Sequence, residues 1–595
     1  MNKAVGNLRY LSSIIWQYDK KIFIYFFLSM IFCSISPYFV VLAPKYILKT
    51  IINRGHGEEW ILIFLIFGIG SLLVYILENI FTSLFKSHLS AARNGCFGNM
   101  LTEKMLRMRY EFLEQPCIQD LCFRANMLFW SDFSGMAGVF ENTKKMLSGM
   151  ITITGFAFIL IGLHPILPIA LVLSVLVNVA LMVNARKKEN SLRNLDQKVD
   201  REKKYLDAVM QDSIFGKDIR LYGMGEWLAK WYLRVTEEKR TITDTIQKQY
   251  FKVNVVGAIL GAIRDVVVYG ILISAMLKRV IFPDDFIMYV SAITGFTTTL
   301  ILIVEYFQKI QQFLTNTDDF REAMQLEEIV QKENHTGNVE FDLIKVEHVN
   351  FAYPNMDKNI LEDINLQVKR GEHIAIVGAN GSGKTTLVKL LVGLYEPTKG
   401  NIQICGKDGK PISKESRWDM FSIVMQKIFQ YAFTLKENIT FEKDGNEDKE
   451  RIERAVRVSG LEEDIVKFPK GIYTTLGKEF HSDGIHLSGG LAQKMALARA
   501  VYKEAPILVL DEPTASMDAL AELEFYRKFE TIFRSKTCIY ISHRLSSVMF
   551  CDRILLIDKG GVAGIGTHEE LLLKNELYAK MWNAQSKPYK EKQKG

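Results

Sequence analysis

Long apolar runs in the first half of the chain constrain its fold more than any other feature of the sequence. A membrane-spanning helix needs about 20 mostly apolar residues, and such runs lie at positions 22–44, 61–85, 147–163, 165–184, 253–277 and 286–307. Helices are favoured in lipid because each one satisfies its backbone hydrogen bonds internally. The sequence therefore predicts an all-α transmembrane domain of six helices, with the lipid bilayer as a partner.

The connections between these runs alternate between short and long. The long connections, at about 86–145 and 185–249, carry basic residues such as Arg109 in the first and Arg186 and Lys187 in the second. Cytoplasmic loops carry an excess of Lys and Arg, so both connections and the N-terminus are predicted in the cytoplasm of a multi-pass cell-membrane protein. Because the long connections keep a helical pattern, we expect the membrane helices to extend into the cytosol.

The net charge argues against a nucleic-acid-binding protein, and the cysteines argue against a metal site. The net charge of +7 is modest and includes no dense basic block, and basic residues beside membrane segments account for it, so no nucleic acid is expected as a partner. The seven cysteines form no CxxC pair and no Cys/His spacing typical of a metal site. We therefore interpret the cysteines as packing residues.

The residue pattern changes after a charged linker and predicts a second domain. Residues 344–353 alternate apolar and polar, as in a half-buried strand, whereas residues 374–377 are all apolar, as in a buried parallel strand. The predicted division is an interfacial elbow helix at 1–20, the six-span domain with cytosolic helix extensions at 21–315, a linker at 316–338, an α/β domain at 339–586 and a basic, disordered tail at 587–595.

A glycine-rich motif follows the buried strand directly. Residues 378–385 read GANGSGKT and fit the pattern GxxxxGK[ST], with an apolar helix pattern after them. In this context backbone N–H groups and a helix N-terminus bind phosphate oxygens. The motif predicts a P-loop nucleotide-binding domain, with Lys384 at the β- and γ-phosphates and Thr385 as a ligand of Mg²⁺. The nucleotide-binding residues expected here are Gly378, Asn380, Gly381, Ser382, Gly383, Lys384, Thr385 and Thr386.

Two acidic residues end another apolar strand pattern further along the chain. Residues 507–510 are apolar, and Asp511 and Glu512 follow them. A carboxylate at the end of a strand beside a phosphate loop is placed to ligate Mg²⁺, which is the role expected of Asp511. Glu512 is then expected to act as the catalytic base that polarises the attacking water. Together the two motifs predict hydrolysis of a nucleoside triphosphate.

A short segment between these motifs carries a family resemblance. Residues 487–491, here called the signature segment, read LSGGL and precede an Ala-rich helix pattern; with the two motifs above they resemble the ATP-binding cassette of ABC transporters. The resemblance implies that Tyr353 stacks on adenine, Gln426 contacts Mg²⁺ and takes part in catalysis, Asp518 crosses a dimer interface, His543 contacts the γ-phosphate catalytically, and Ser488, Gly489 and Gly490 bind ATP held by a partner chain. Six spans followed by one cassette are similar to an exporter-type half-transporter.

The resemblance also implies a mechanism. Two half-transporters are expected to close head to tail on two ATP molecules, because each signature segment meets the γ-phosphate bound by the other chain. Hydrolysis would reopen the dimer, and segments 114–123 and 213–222 would transmit this motion to the membrane domain. The implied function is ATP-driven export of a peptide or an amphipathic small molecule across the cytoplasmic membrane. Import, or regulation by an ABC protein, is the alternative.

The signature segment departs from the family at one position. Its fifth residue is Leu491, where the family usually has Gln, whereas Lys384 and Glu512 of the chain's own site are intact. In heterodimeric ABC exporters one chain often carries the deviant signature and keeps the catalytic glutamate. We therefore expect a heterodimer with this chain as the intact half; a homodimeric multidrug or lipid exporter is the alternative. Residues 477–490 resemble the GxxFxxDGxxLSGG pattern of bacterial peptide and lantibiotic exporters, which favours a peptide substrate.

Charged residues within or near the spans are candidates for the substrate cavity, because ionisable groups are costly in lipid and are usually kept there for function. These residues are Glu78, Arg264, Asp265 and Glu305. Arg264 is expected to lie deepest in the membrane, whereas Glu78 and Glu305 are expected near the cytosolic ends of their helices. Arg264 is therefore the better candidate for contact with a substrate.

Overall fold

The chain folds into two compact units. The computed structural model describes residues 2–328, 341–354, 356, 358–442, 448–478, 480–513 and 536–591. The first unit comprises residues 1–103 and 120–325, and the second comprises residues 104–119 and 326–595. A short stretch of the N-terminal half, 104–119, thus belongs to the second unit, which the sequence pattern did not indicate.

The N-terminal half is helical. Its α-helices are α1 (Asn2–Tyr18), α2 (Lys21–Ile52), α3 (Gly57–Ile63), α4 (Gly70–Ala92), α5 (Asn99–Arg107), α6 (Tyr110–Leu113), α7 (Pro116–Asn126), α8 (Gly135–Ile161), α9 (Ile166–Gln211), α10 (Ser213–Leu221), α11 (Gly225–Leu277) and α12 (Pro283–Gln325). Two π-helical turns, Phe64–Ile69 and Arg93–Gly98, join α3, α4 and α5 into one continuous helix. Within the described residues, six helical stretches are long and apolar enough to cross a membrane, which confirms the predicted all-α six-span domain.

Two of these helices are much longer than a bilayer requires. α9 has 46 residues and α11 has 53. At about 1.5 Å per residue they are about 69 and 80 Å long, against a hydrocarbon core of about 30 Å. Their polar portions pack on each other through Val199 and Val235 and through an ion pair of 2.7 Å between Lys239 and Asp196. α9 and α11 are thus long enough to continue past the bilayer, and their extension into the cytosol stays a prediction.

Two further helices extend beyond the apolar runs of the sequence. α8 begins at Gly135, well before the apolar run that starts at residue 147, and this first part of the helix contains Lys144, which is buried and pairs with Glu141 at 3.2 Å. α12 continues to Gln325, into the segment 316–338 that was expected to be a linker. The apolar side of this extension is buried, with Phe320 packed against Phe97 at a ring distance of 5.8 Å. Charge alone therefore did not mark the end of the helix.

Short helices occupy both segments that were expected to couple the two domains. α10 coincides with most of segment 213–222, and it begins after Asp212, whose carboxylate accepts a hydrogen bond of 2.9 Å from the Ile214 N–H. α6 and α7 flank Glu114 at the start of segment 114–123. The coupling role of these segments stays a prediction.

The second unit contains all the strands of the described residues. They are β1 (Phe341–Phe351), β2 (Leu361–Lys369), β3 (His373–Gly378), β4 (Lys399–Gly406), β5 (Phe421–Val424), β6 (Ile507–Asp511), β7 (Thr537–Ile541), β8 (Arg553–Asp558) and β9 (Gly561–Gly566). Its further α-helices are α13 (Lys384–Val392), α14 (Leu435–Thr440), α15 (Lys449–Ser459), α16 (Glu462–Ile465), α17 (Gly489–Lys503), α18 (His568–Lys574) and α19 (Glu576–Glu591). α19 extends into the segment expected to be a disordered tail, and residues 592–595 lie outside the described residues.

Two sheets build the core of this unit. β2, β1 and β4 form an antiparallel sheet, and the larger sheet has the order β5-β6-β7-β3-β8-β9. Its strands are parallel from β5 to β8, and β9 is antiparallel. β3, β6 and β7 are buried along their whole length, which is why all their residues except one at an end, His373, Asp511 and Thr537, are apolar or glycine. The predicted α/β P-loop architecture is confirmed.

Candidate functional site

Four neighbouring strands of the larger sheet end at the same edge, and each is followed by predicted site residues. Gln426 follows β5 by two residues, Glu512 follows β6 directly, and His543 follows β7 by two residues. β3 leads into residues 378–385, here called the phosphate loop, which ends in the first turn of α13. In open α/β sheets, ligands bind outside the carboxyl ends of the strands. The fold thus assembles one site from four separate parts of the chain.

Two glycines of the phosphate loop are required by its backbone. Gly378 and Gly383 have φ angles of 157° and 106°. A Cβ atom at Gly378 would lie 2.2 Å from the carbonyl oxygen of Ile557, and one at Gly383 would lie 2.6 Å from the side chain of Leu361. Gly381 also has a positive φ, of 78°, but a Cβ atom there would meet nothing within 4 Å, so the loop is open at this position.

Lys384 and Ser382 supply the side-chain groups of the loop. Lys384 Nζ donates hydrogen bonds of 3.0 and 2.9 Å to the carbonyl oxygens of Gly378 and Ala379. Burial lowers the pKa of Lys384, although the nearby carboxylates oppose this shift. Ser382 Oγ is buried and has no hydrogen-bond partner among the described residues. Such a hydroxyl costs about 1–3 kcal/mol, and a phosphate oxygen would satisfy it, so the loop fits a nucleotide phosphate.

Thr385 and Asp511 form the candidate Mg²⁺ site. Thr385 Oγ1 lies 3.4 Å from Asp511 Oδ2. Burial and the charge of Glu512 raise the pKa of Asp511 to about 6, and a divalent cation would favour its ionised form. Hydroxyl and carboxylate oxygens are ligands that Mg²⁺ prefers, so these two residues fit the predicted ion. Gln426, the third predicted ligand, directs its amide nitrogen to Glu512 instead.

Glu512 contacts both of the other predicted catalytic residues. Gln426 Nε2 donates a hydrogen bond of 2.8 Å to Glu512 Oε2, and His543 Nδ1 lies 3.0 Å from Glu512 Oε1. The Glu512 side chain is only 15% exposed. Its backbone has a φ of 50°, a conformation that non-glycine residues adopt rarely and often at functional sites. The fold therefore fixes the direction of this carboxylate from both sides.

Tyr353 lies beside the phosphate loop. Its hydroxyl oxygen is 3.1 Å from the hydroxyl oxygen of Thr386, in the first turn of α13. Its ring packs edge-on against Tyr395 and Phe351, with ring centroids 5.3 and 5.1 Å apart. The side chain is half-buried. This position is compatible with stacking on adenine, which stays a prediction.

The signature segment lies at the N-terminus of α17. Ser488 caps this helix, and its hydroxyl accepts a hydrogen bond of 3.4 Å from the Leu491 N–H. Ser488 and Gly489 are exposed, and a Cβ atom at Gly490 would meet nothing within 4 Å. In the described part of the chain, no hydrogen bond joins this segment to the phosphate loop. An exposed helix N-terminus of this kind suits the expected contact with a nucleotide on another chain.

Leu491, the unusual fifth signature residue, faces the interior of its own domain. Its side chain is partly buried and packs against a hydrophobic cluster that includes Met495 and Leu510. The side chain of Leu491 therefore gives no structural support to the heterodimer expected above. Asp518, the other residue expected at a dimer interface, lies outside the described residues.

Comparison with known proteins identifies the domain that carries this site. Residues 361–515 match the family model described as ABC transporter. The chain therefore contains an ABC transporter domain. The chain is 31% identical to the subtilin transport ATP-binding protein of Bacillus subtilis over 64% of its own length and 62% of that protein. It is 35% identical to an ATP-dependent lipid A-core flippase of Cupriavidus pinatubonensis over 49% of this chain and 50% of that protein.

A solved structure has the same fold as nearly the whole chain. A bacterial Atm1-family ABC exporter with ATP bound matches 95% of this chain and 98% of its own chain, with a TM-score of 0.73 and 20% identity. Together with the six apolar helices, this fold confirms the predicted multi-pass membrane protein with a cytoplasmic ATP-binding cassette. The alignments span less than two thirds of the two curated relatives.

Sequence reasoning missed a contact that holds the signature segment. Gln430 Oε1 accepts a hydrogen bond of 3.1 Å from the Leu487 N–H, and Gln430 Nε2 donates one of 3.4 Å to the Leu487 carbonyl oxygen. The segment after Gln426 is thereby attached to the residue before Ser488. No motif or periodicity marks Gln430, because its partners are backbone atoms 57 residues away.

Three of the four charged candidates of the membrane spans form ion pairs. Arg264 contacts its neighbour Asp265 at 2.8 Å, and Glu305 contacts Lys309 at 2.6 Å. Glu78 is half-buried. Their role in substrate binding stays a prediction. The pair of Lys144 and Glu141 on α8 is a further charged candidate. The sequence analysis did not include it because it precedes the apolar run.

Proposed function

We propose that this chain is an ABC transporter that hydrolyses ATP to drive export of a substrate across the cytoplasmic membrane, as one half of a dimer. The observation that carries the proposal is the meeting of Gln426, Glu512 and His543 at the sheet edge where the phosphate loop begins. Six apolar helices in the same chain supply a membrane domain for that chemistry to act on. Import and regulation are the alternatives. Transport in the opposite direction would indicate import, and hydrolysis without transport would indicate regulation.

The side chains of the site have distinct roles in the proposed hydrolysis. Lys384 and the backbone N–H groups of the phosphate loop bind the β- and γ-phosphates. Glu512 accepts a proton from the attacking water, whose oxygen bonds to the γ-phosphorus while the bond to the ADP oxygen breaks. Gln426 and His543 hold the Glu512 carboxylate in position. Mg²⁺, for which the hydroxyl and carboxylate pair described above provides ligands, supplies positive charge beside the phosphates when it is bound.

We propose that the transporter is a dimer of two copies of this chain. The chain carries both halves of a composite ATP site, namely the phosphate loop and an exposed signature segment. Because Leu491 packs inward, it gives no reason to require a second, different chain. Two copies arranged head to tail would therefore have two complete sites. This proposal replaces the heterodimer that was expected from the sequence.

A peptide is the substrate class that we propose. The pattern at residues 477–490 and the similarity to a subtilin transport protein both support it. A lipid is the second candidate, because proteins named lipid A-core flippases are also among the relatives.

Transport by the purified chain in proteoliposomes tests both candidates. Where the cassettes face outward, export corresponds to accumulation in the lumen, so Mg²⁺ and ATP should drive fluorescently labelled amphipathic peptides into the vesicles. A lipid exporter would instead move a fluorescent lipid between the leaflets. The Glu512→Gln variant is the matched control, because it keeps the shape of the site without the base. Hydrolysis that moves neither probe, or movement out of the lumen, would contradict the proposal.

A further inference from the structure

Three tyrosines and a lysine form a compact cluster beside the phosphate loop. The ring of Tyr395 packs edge-on against Tyr353 on one side and Tyr110 on the other, with centroids 5.3 and 5.8 Å apart. Lys389 Nζ lies 5.5–5.8 Å from the centroids of all three rings. We call these four residues the tyrosine cluster. It connects the tyrosine expected to stack on adenine with residues 104–119 from the N-terminal half of the chain.

Glu114 is the single anion that contacts the tyrosine cluster among the described residues. Its carboxylate accepts hydrogen bonds from the hydroxyl of Tyr110 at 2.5 Å, from the hydroxyl of Tyr395, and from Lys389 Nζ at 3.3 Å. Tyr395 is 2% exposed, so its hydroxyl has little access to water as an alternative partner. Burial acts to raise the pKa of Glu114, but the two hydroxyls and the lysine outweigh it and hold the pKa below its ordinary value. Glu114 therefore balances the charge of Lys389.

We propose that Glu114 is a positioning residue for adenine binding. The inference rests on the proposed function, since it needs ATP as the ligand and Tyr353 as the ring on which adenine stacks. Glu114 fixes the hydroxyl of Tyr395 and the ammonium group of Lys389, and these two residues hold the ring of Tyr353 from the side. The hydroxyl contact with Thr386 then fixes the end of the same ring. Recognition of the base thus depends on a residue outside the sequence of the cassette itself.

The inference predicts that loss of Glu114 weakens binding of the adenine base but not binding of the phosphates. Glu114→Ala removes the acceptor of two hydroxyls and leaves the buried hydroxyl of Tyr395 without a partner, so the rings must shift. We expect a loss of ATP affinity of about three- to tenfold, the effect of about one aromatic contact. Inorganic tripolyphosphate binds through the phosphates alone, and its affinity should not change. A general weakening of the site would reduce both affinities.

The experiment measures equilibrium binding to the full chain in lipid nanodiscs. All variants carry Glu512→Gln to prevent hydrolysis, and ATP or tripolyphosphate displaces a labelled ATP. Glu114→Ala should weaken binding of ATP and leave tripolyphosphate unchanged, and Tyr395→Phe should give a smaller loss in the same direction. In the Tyr353→Ala background, Glu114→Ala should have no further effect on ATP affinity, because the ring that it positions is absent.

Glu111→Ala is the matched control. Glu111 lies in the same short stretch, but it pairs with Arg109 at 2.8 Å and not with the tyrosine cluster; its removal should change neither affinity. Equal losses for ATP and tripolyphosphate, or no loss for either, would overturn the inference. If the Glu114→Ala variant does not fold, the same comparison with Tyr395→Phe decides. Failure of the Glu512→Gln parent to bind ATP would instead refute the proposed function.

Discussion

Gln426 donates a hydrogen bond of 2.8 Å to the carboxylate of Glu512, although 86 positions separate the two residues. They meet because β5 and β6 are neighbouring parallel strands. His543 approaches the other oxygen of the same carboxylate. In the proposed function, Glu512 performs the chemistry, and Gln426 and His543 hold its carboxylate in place.

Gln426→Ala should lower kcat for ATP hydrolysis by about 10- to 100-fold, because a misdirected carboxylate loses much of the benefit of orientation. The KM for ATP should change little, since the phosphate loop remains intact. Steady-state ATPase measurements on the purified chain check this, with Gln367→Ala, an exposed residue on β2, as the control. A raised KM with an unchanged kcat would show that Gln426 binds nucleotide and does not position Glu512.

Ser382→Ala should leave the thermal stability of the nucleotide-free protein unchanged or raise it, because the lost hydroxyl is buried without a partner. The stabilisation by ATP should become smaller. Thermal unfolding with and without ATP measures both effects. The control is Ser422→Ala: Ser422 Oγ accepts a hydrogen bond of 3.3 Å from the Ala505 N–H, so its loss should destabilise the protein by about 1–3 kcal/mol and leave the ATP effect intact. Destabilisation by Ser382→Ala, together with a smaller stabilisation by ATP in Ser422→Ala, would contradict this account.

Tyr353→Ala should raise the KM for ATP more than it lowers kcat, because stacking contributes equally to the ground state and the transition state. Base stacking is worth about 1–3 kcal/mol, or roughly 5- to 150-fold in affinity. Tyr353→Phe keeps the ring and loses only the contact with Thr386, so it should stay close to wild type. Equal ATP affinity for the wild type and Tyr353→Ala would remove this residue from the site.

The sequence predicted those parts of the site that depend on local patterns. β3 and β6 are almost wholly apolar, and the phosphate loop and the pair Asp511 and Glu512 follow them directly, so their places in the fold could be derived. The contact between Glu114 and Tyr395 could not, because the residues are 281 positions apart and belong to no periodic pattern. The heterodimer expected from Leu491 stays untested, because the family pattern gives the usual residue but not the direction of its side chain.

The raised pKa of Asp511 allows a prediction of how the site responds to pH. Its pKa is raised to about 6 in the folded chain, above the ordinary value of about 3.9 in an unfolded chain. In the absence of nucleotide, its contribution to stability is therefore fully present below about pH 4 and is lost as the pH rises through about 6.

Binding of Mg²⁺ needs the ionised carboxylate, so the apparent Mg²⁺ affinity at saturating ATP should fall about tenfold per pH unit below pH 6. Mg²⁺ titrations of ATP hydrolysis at several pH values measure this. Asp511→Asn should bind Mg²⁺ more weakly and lose this part of the pH dependence; it also corrects for the titration of ATP itself. An affinity that does not change between about pH 5 and pH 7 would show that Asp511 is not a ligand.

The central claim is that two copies of this chain form complete ATP sites. Its most direct test is the ATPase activity of the purified full-length chain, expressed alone and reconstituted in nanodiscs, measured beside Glu512→Gln. We predict a dimer with Mg²⁺-dependent hydrolysis, and a Glu512→Gln variant that still binds ATP but turns it over about 10²- to 10⁴-fold more slowly. Wild-type turnover no faster than that of Glu512→Gln would contradict the claim.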